Sequence, residues 1–338
     1  MKTLEDISRE AGVSISTVSR VLNNSGYASR ETREKVRRAA VGYVPNAIAQ
    51  SMVSGRSETI GILINCTPEY FFMNAFYSTI LSGISEALNQ KNYKMLLVMN
   101  SGEDNLLELY YNRRIDGYLI LGSRESDCIH RRLTGQNIPF VVIGERDPED
   151  RETHNVDIDN FKFAYDIVRY LIDLGHTRIG MISANLSIAL SERVRGYRQA
   201  LADSGIEVNE DYLQICEYSI HKEAENHAKK LMYMPKRVTA VFGANDMIAI
   251  SVYKAAEELG LKIPADLSVV GFDDSQIAQY VSPPLTTVWQ PSYEKGARAA
   301  QILLNLLESG EQPREMPELK CCIQFRRSCC PPEKREDG

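Results

Sequence analysis

Two hydrophobic periodicities divide this chain. Between residues 4 and 39 apolar positions recur every three or four: Leu4, Ile7 and Ala11, then Val18, Val21 and Leu22, then Val36 and Ala39. That spacing puts each group on one face of a helix. Thr3 stands where an N-cap belongs, with Asp6 three residues on as the acid of a capping box. Gly12 can take the left-handed conformation that ends a helix, Val13 can plug the angle between two helices, and Ser14 or Ser16 can cap the next. A third helix is predicted from about Ser29 to Ala40. The pattern is that of a helix-turn-helix head over residues 1–43.

From Thr59 the pattern changes. Short apolar runs (TIGILIN, KMLLVMN, DGYLILG, PFVVIGE, RIGMISA, AVFGAND and LSVVGFDD) alternate with helical stretches, and a last strand is expected within CCIQFRRSCC. Alternation of this kind predicts parallel sheets flanked by helices, here two doubly wound lobes. Between head and body lies YVPNAIAQSMVSGRS, whose Pro45 halts the preceding helix and whose Gly55 loosens the exit. The NAIAQSM segment has length for about two helical turns, too short to be stable alone in water. The expected organisation is a head over 1–43, a hinge over 44–58, a body over 59–330 and a tail over 331–338.

Composition narrows this picture without changing it. A chain of 338 residues, 43% hydrophobic and 25% charged, is that of an ordinary globular protein of more than one domain. It has no apolar run of about 18 residues, and MKTLEDISREAG does not read as a signal peptide, so a cytoplasmic, nucleoid-associated protein is expected. Seven cysteines are expected as reduced thiols. Adjacent cysteines in CCIQFRRSCC point to opposite faces of a strand and make a poor metal set, and His221 and His227 are spaced wrongly for one helical face. No metal and no cofactor are expected.

Charge and chemistry point to a polyanion at one end. Residues 1–58 carry nine Lys and Arg against six Asp and Glu, so about +3 of a chain whose total is −6. A basic head on an acidic body suits a protein whose head alone meets DNA. The outer face of the second helix would present Ile15, Ser16, Thr17, Ser19 and Arg20, with Thr3, Ser14 and Asn23 completing the contact surface. Short hydroxyls let a helix approach phosphates closely, Arg20 can fork onto guanine O6 and N7, and Ile15 can touch a thymine methyl. Any amphipathic helix pair shares part of this pattern.

The segments TLEDISREAGVSISTVSRVLN, SRETREKV, GYVPNAIAQSM and TIGIL resemble the LacI/GalR family of bacterial transcription regulators. Further motifs follow in the family's order along nearly the whole chain: NAFYSTILSGI, LGHTRIGMIS, SERVRGYRQAL, AVFGANDMIAI and LGLKIPADLSVVGFDD. The resemblance implies an all-α helix-turn-helix head and hinge on an α/β body of two periplasmic-binding-protein-like lobes, the N-lobe over about 59–157 and 289–315 and the C-lobe over 158–288 and 316–330. It also implies a homodimer bound to a near-palindromic operator. The hinge would fold on DNA, with Asn46, Ala49 and Met52 in the minor groove. Met52 replaces the family's wedging leucine, and methionine also serves as a wedge. The stretch from Val36 to Tyr43 is about two residues shorter than the family's spacing, or about 200° of helix rotation.

Ligands of open α/β sheets bind beyond the carboxyl ends of strands. Those ends hold Asn65, Cys66, Ser123, Glu145, Arg146, Asn185, Asn245, Asp246, Asp273 and Asp274, side chains that suit the many hydroxyls of a sugar. The resemblance assigns effector contacts to Arg193, Asn245 and Asp273, with Phe76, Tyr77, Arg146, Trp289 and Gln290 as further candidates. On the residues alone, strand-end Asn and Asp can equally cap helices, Arg193 can pair at the surface, and Phe76 and Tyr77 can be core aromatics. The functional expectation is a repressor controlled by a small sugar-like effector. G-x-G-x-x-G, P-loop, G-x-S-x-G and H-E-x-x-H signatures are missing where an enzyme would need them, so an enzyme is not expected. A sugar-binding module without DNA function is the remaining alternative.

Overall fold

A computed structural model describes residues 2–23, 25–44, 55–99, 102–122, 129–145, 153–185, 187–216, 220–309 and 318–333. The hinge residues Asn46, Ala49 and Met52, together with Ser123 and Arg146, lie outside them. The chain divides into two compact units, residues 1–57 and 58–338.

The first unit holds α1 (Leu4–Ala11), α2 (Ile15–Leu22) and α3 (Arg30–Ala39). Each start is capped by a hydroxyl. Thr3 Oγ1 accepts from the Asp6 amide at 3.2 Å while the Thr3 amide donates to Asp6 Oδ2 at 3.0 Å, closing the capping box. Ser14, not Ser16, caps α2, and Ser29 caps α3. Gly12 ends α1 at φ 63°, a conformation that strains any residue with a Cβ. Ile7, Val18, Val21, Val36 and Ala39 form the buried centre, with Leu4, Val13, Leu22 and Tyr43 packed around them. Lys2 Nζ reaches Glu10 Oε2 and the Ala39 carbonyl at 2.6 and 2.8 Å, tying the chain start to the end of α3.

The second unit is built on two sheets. The first comprises β1 (Thr59–Ile64), β2 (Lys94–Met99), β3 (Gly117–Leu121), β4 (Phe140–Ile143) and β5 (Asn155–Val156), all parallel in the order β2-β1-β3-β4-β5. Its helices are α4 (Pro68–Met73), α5 (Ala75–Asn89), α6 (Glu103–Tyr111), α7 (Ile129–Gly135) and, from late in the chain, α12 (Ser292–Ser309). Both faces of β1, β3 and β4 are covered, which is why these strands read as continuous apolar runs, whereas β2 lies on an exposed edge. Ile60, Ile62 and Ile64 point into one core with Leu119 and Leu121, while Leu63 points the other way with Tyr118 and Ile120. The pair α5 and α12 approaches at glycines: a Cβ on Gly83 would stand 2.0 Å from the Tyr293 carbonyl oxygen, and one on Gly296 2.2 Å from that of Ile80.

The second sheet comprises β6 (Ile179–Ala184), β7 (Leu213–Cys216), β8 (Ala240–Gly243), β9 (Ser268–Asp273), β10 (Thr286–Trp289) and β11 (Cys322–Gln324), in the order β11-β10-β9-β8-β6-β7. The helix pairs α8 (Asn160–Asp173) with α9 (Ile188–Asp203), and α10 (Ile220–Tyr233) with α11 (Asp246–Glu258), pack in it. The seven apolar runs correspond to strands here, but β5, β7 and β10 add to them, and β11 runs antiparallel to β10, so the second sheet is mixed at its edge. Order reverses beside β1 in one sheet and beside β6 in the other, which puts a ligand crevice at their carboxyl ends. No helix among the described residues is long and apolar enough to cross a membrane.

Candidate DNA-binding face and effector cleft

With Val18 and Val21 turned inward, α2 shows solvent the opposite face. Ile15 is 45% exposed, and Ser16, Arg20 and Asn23 are exposed beside the half-buried Thr17 and Ser19. Three hydroxyls cluster where α2 begins: Ser14 Oγ lies 2.8 Å from both Ser16 Oγ and Thr17 Oγ1. Thr3 is occupied by its capping box at the start of α1. Lys2, Arg9, Arg30, Lys35 and Arg38 each pair with a carboxylate of the head, whereas Arg20 and Arg37 make no ion pair among the described residues. The outer face of α2 is thus small, polar and headed by an unpaired guanidinium, as entry into a major groove requires.

In the body, the ends of β1, β3, β4 and β5 face those of β8 and β9 across a recess. From the first lobe it is lined by Asn65, Tyr70, Asn74, Phe76, Tyr77 and Glu145, and from the second by Ser187, Arg193, Asn245 and Asp273.

The orientation of several groups follows from their partners. Asn245 Oδ1 caps α11 by accepting from the Ile248 amide at 2.9 Å, so its Nδ2 must point away, and donates to the Tyr70 hydroxyl at 2.9 Å across the cleft. Asn74 Oδ1 likewise accepts from the Phe76 amide, and Nδ2 donates to the same hydroxyl at 3.3 Å. Accepting twice, the Tyr70 oxygen keeps its own proton to donate. Burial first, then the Asp273 charge, holds its pKa well above the usual phenol range, so that proton stays on. Tyr77 is raised for the same leading reason.

Arg193 donates through Nε to Asn160 Oδ1 at 3.1 Å and through Nη1 to the Ala244 carbonyl at 2.6 Å, with its guanidinium 3.6 Å from the Phe272 ring centroid. Its Nη2 has no partner among the described residues. From here a closed ring of contacts runs round the lobe junction. Asn160 Nδ2 donates to Asp157 Oδ2 at 2.8 Å, and Lys295 Nζ is bonded to Asp157 Oδ1. Lys295 also donates to Gln290 Oε1 at 3.1 Å, Gln290 Nε2 to Asp273 Oδ1 at 2.6 Å, and Asp273 returns to Arg193 at 3.6 Å. Two cations and two anions balance, so the ring is buried without net charge, the condition on which charges tolerate burial.

Asp273 and Asp274 hold φ of 121° and 51°, strained for residues with a side chain and a feature common at functional sites. Burial raises the Asp273 carboxyl while the Arg193 charge opposes it. Behind it, Asp246 accepts from Thr287 Oγ1, Ser275 Oγ and the Ser275 amide, and is raised by burial and then by Asp273. Glu145, at the end of β4, is pushed up to about 7 by burial and then by the Asp157 charge.

Of the residues expected at the effector, Phe76, Tyr77, Arg193, Asn245 and Asp273 line the one recess. Gln290 does not reach it and instead holds Asp273 from behind. Trp289 lines instead an adjoining recess, shared with Phe76, Asp273 and Gln290, and another with Leu319 and Cys322. The capping alternative for Asn245 holds together with its place in the cleft, since one amide group serves each. Sequence reasoning missed Tyr70, Asn74, Asp157, Asn160 and Lys295. Of these only Lys295 carries a local signal, a lysine among the apolar positions of an amphipathic helix.

The family described as "Bacterial regulatory proteins, lacI family" matches residues 3–46, and that described as "Periplasmic binding protein-like domain" matches residues 168–329. The chain is 32% identical over 336 residues to the HTH-type transcriptional repressor PurR of Vibrio campbellii, covering 97% of this chain and 98% of that protein. It is 35% identical over 319 residues to the HTH-type transcriptional repressor CytR of Escherichia coli, covering 90% of each. Among solved structures it is similar to the lac repressor dimer bound to operator and the anti-inducer ONPF, at a TM-score of 0.83 and 25% identity over 97% of this chain and 99% of that one. The recognition helix, the two lobes and this likeness along the whole chain agree, and the chain belongs to the LacI family of DNA-binding transcription regulators rather than to a family of enzymes.

Proposed function

We propose that this protein is a dimeric repressor whose operator affinity is set by a sugar or related small metabolite bound between the two lobes. The observation that carries the reading is one chain holding both an unpaired Arg20 on a small polar recognition face and a polar cleft in which the Tyr70 hydroxyl proton and Arg193 Nη2 are left to donate. In this reading residues 1–43 are the DNA-binding head, 44–58 the hinge, and 59–330 the effector and dimerisation body.

Two heads lay α2 in successive major grooves of a near-palindrome, with Ile15, Ser16, Thr17, Ser19, Arg20 and Asn23 toward bases and phosphates, and Met52 at the central step. Phosphate contacts supply much of the affinity, which makes it steeply salt-dependent. In the body, Tyr70 offers a donor, Arg193 Nη2 two more, and Glu145 a carboxyl group, against the faces of Phe76 and Tyr77. That mixture of donors, acceptors and aromatic surface suits a polyhydroxyl ring. Supporting a homodimer, edge strand β2 exposes Met95, Leu96 and Leu97 at 38% each, an apolar edge that a second copy would cover. A regulator of this kind works in the cytoplasm, where its operator is.

Effector bound in the cleft favours one arrangement of the lobes and, through the dimer, changes hinge pairing, a coupling of typically about 1–3 kcal/mol. The test is fluorescence anisotropy with a labelled palindrome from upstream of the gene, into which sugars and sugar phosphates are titrated. Tight binding altered by one compound supports the reading; sugar binding without any DNA affinity overturns it in favour of a binding module.

A further inference from the structure

A cluster at the edge of the second sheet is left unused by the repressor reading. Strand alternation puts Gln214 and Cys216 on one face of β7, both buried. The helix α10 packs against β6 and β7, and Glu223 and His227 lie one turn apart on it. The Cys216 sulfur, a Glu223 carboxylate oxygen and a His227 ring nitrogen lie within 4.8 Å of one another, the one such group of three among the described residues.

The histidine is oriented by its neighbours. Gln214 Nε2 donates to the Asp211 carbonyl at 2.6 Å, which leaves Oε1 as an acceptor facing His227 Nδ1 at 3.0 Å and Lys230 Nζ at 3.1 Å. An amide oxygen offers only lone pairs, so Nδ1 carries a hydrogen and Nε2 is the nitrogen left for a metal. A ligating histidine held by an acceptor on its other nitrogen is the usual outer-shell arrangement of a metal site.

We propose that Cys216, Glu223 and His227 bind a zinc-class divalent cation, with Gln214 as the positioning residue and a fourth position open. Sulfur, imidazole and carboxylate together select zinc over calcium or magnesium, which take oxygen ligands. Ligand atoms about 2.0–2.3 Å from zinc stand roughly 3.3–3.8 Å apart, so small side-chain rotations close the site. The ion clips the end of the edge strand to the helix that follows it. The clip sits at the cleft end of the sheet, where the Asn185 amide donates to the Cys216 carbonyl at 3.2 Å.

The test uses chelator-treated full-length protein titrated with Co²⁺, a coloured substitute for zinc. One equivalent is expected to bind, with a thiolate-to-cobalt charge-transfer band and visible bands of tetrahedral coordination that zinc then displaces. Cys216→Ser removes the charge-transfer band. His227→Gln, at a half-exposed position that tolerates the change, weakens binding more than tenfold, and Gln214→Leu by about 10–100-fold. Replacing Cys321, Cys322, Cys329 and Cys330 by serine leaves the band in place. No band in the wild-type protein, a band that survives Cys216→Ser, or one lost only with the C-terminal cysteines overturns the proposal.

Discussion

Replacing Lys295 by methionine tests the ring at the lobe junction. Lys295 and Asp157 are 3% and 4% exposed, and Lys295 Nζ bonds both Asp157 and Gln290. Methionine keeps the apolar stem and removes only the charge. The Asp157 carboxylate then stays buried with the Asn160 amide at 2.8 Å and the Ile158 amide at 2.9 Å, but without its cation. Breaking one partner of a buried pair costs about 3–5 kcal/mol, and the two surviving hydrogen bonds place this case near about 3. Trp289 is the only tryptophan of the chain and belongs to the body, so its fluorescence during urea unfolding follows this unit rather than the head. The midpoint should fall with the slope unchanged. Asp157→Asn added to Lys295→Met should recover all but about 1 kcal/mol, because a neutral amide no longer needs the cation. A loss below about 1 kcal/mol in the single variant refutes the reasoning. A double variant no better than the single would show that packing of the lysine stem, rather than charge, had been lost.

Three further expectations concern the head, the cleft and the helix pair. Arg20→Ala should weaken specific operator binding by about 1–3 kcal/mol in anisotropy titrations while non-specific binding changes less; an unchanged specificity ratio would remove Arg20 from base readout. Glu145, raised from 4.5 to about 7, keeps in the folded protein a proton that the unfolded chain has released between those values, so stability present below the lower pH declines as pH rises toward the higher. Glu145→Gln should flatten that decline, by about 1–2 kcal/mol once partial exposure is allowed for, and a slope identical to wild type would count against it. Gly83→Ala drives a methyl group into the Tyr293 carbonyl and should lower thermal stability by about 1–3 kcal/mol; a neutral result would mean that α5 and α12 separate without penalty.

Elements were legible in the sequence where their signals were local. The capping box of Thr3 and Asp6, the turn at Gly12 and the faces of Val18 with Val21 and of Val36 with Ala39 depend on neighbours within a few positions, and all appear as read. Six of the seven apolar runs became strands because parallel strands buried on both faces must be apolar throughout, while the seventh, β2, keeps an apolar run on an exposed edge. Strand β5, only Asn155–Val156, and β7, with Gln214 and Cys216 on one face, carry no such run and went unread.

The sequence by itself therefore determined the two kinds of architecture, the order of their elements and, through an extended likeness, the family. Tertiary structure decided what the polar residues do. Asn160, Asp157, Lys295 and Gln290 form one ring with Arg193 and Asp273 although Asp157 and Lys295 are far apart in the chain, and Tyr70 meets Asn245 only because two sheets present their carboxyl ends to each other. Hydrophobic burial follows a short repeat and can be read along the chain. A hydrogen bond between distant side chains leaves no periodic trace, and only folding brings its partners within reach.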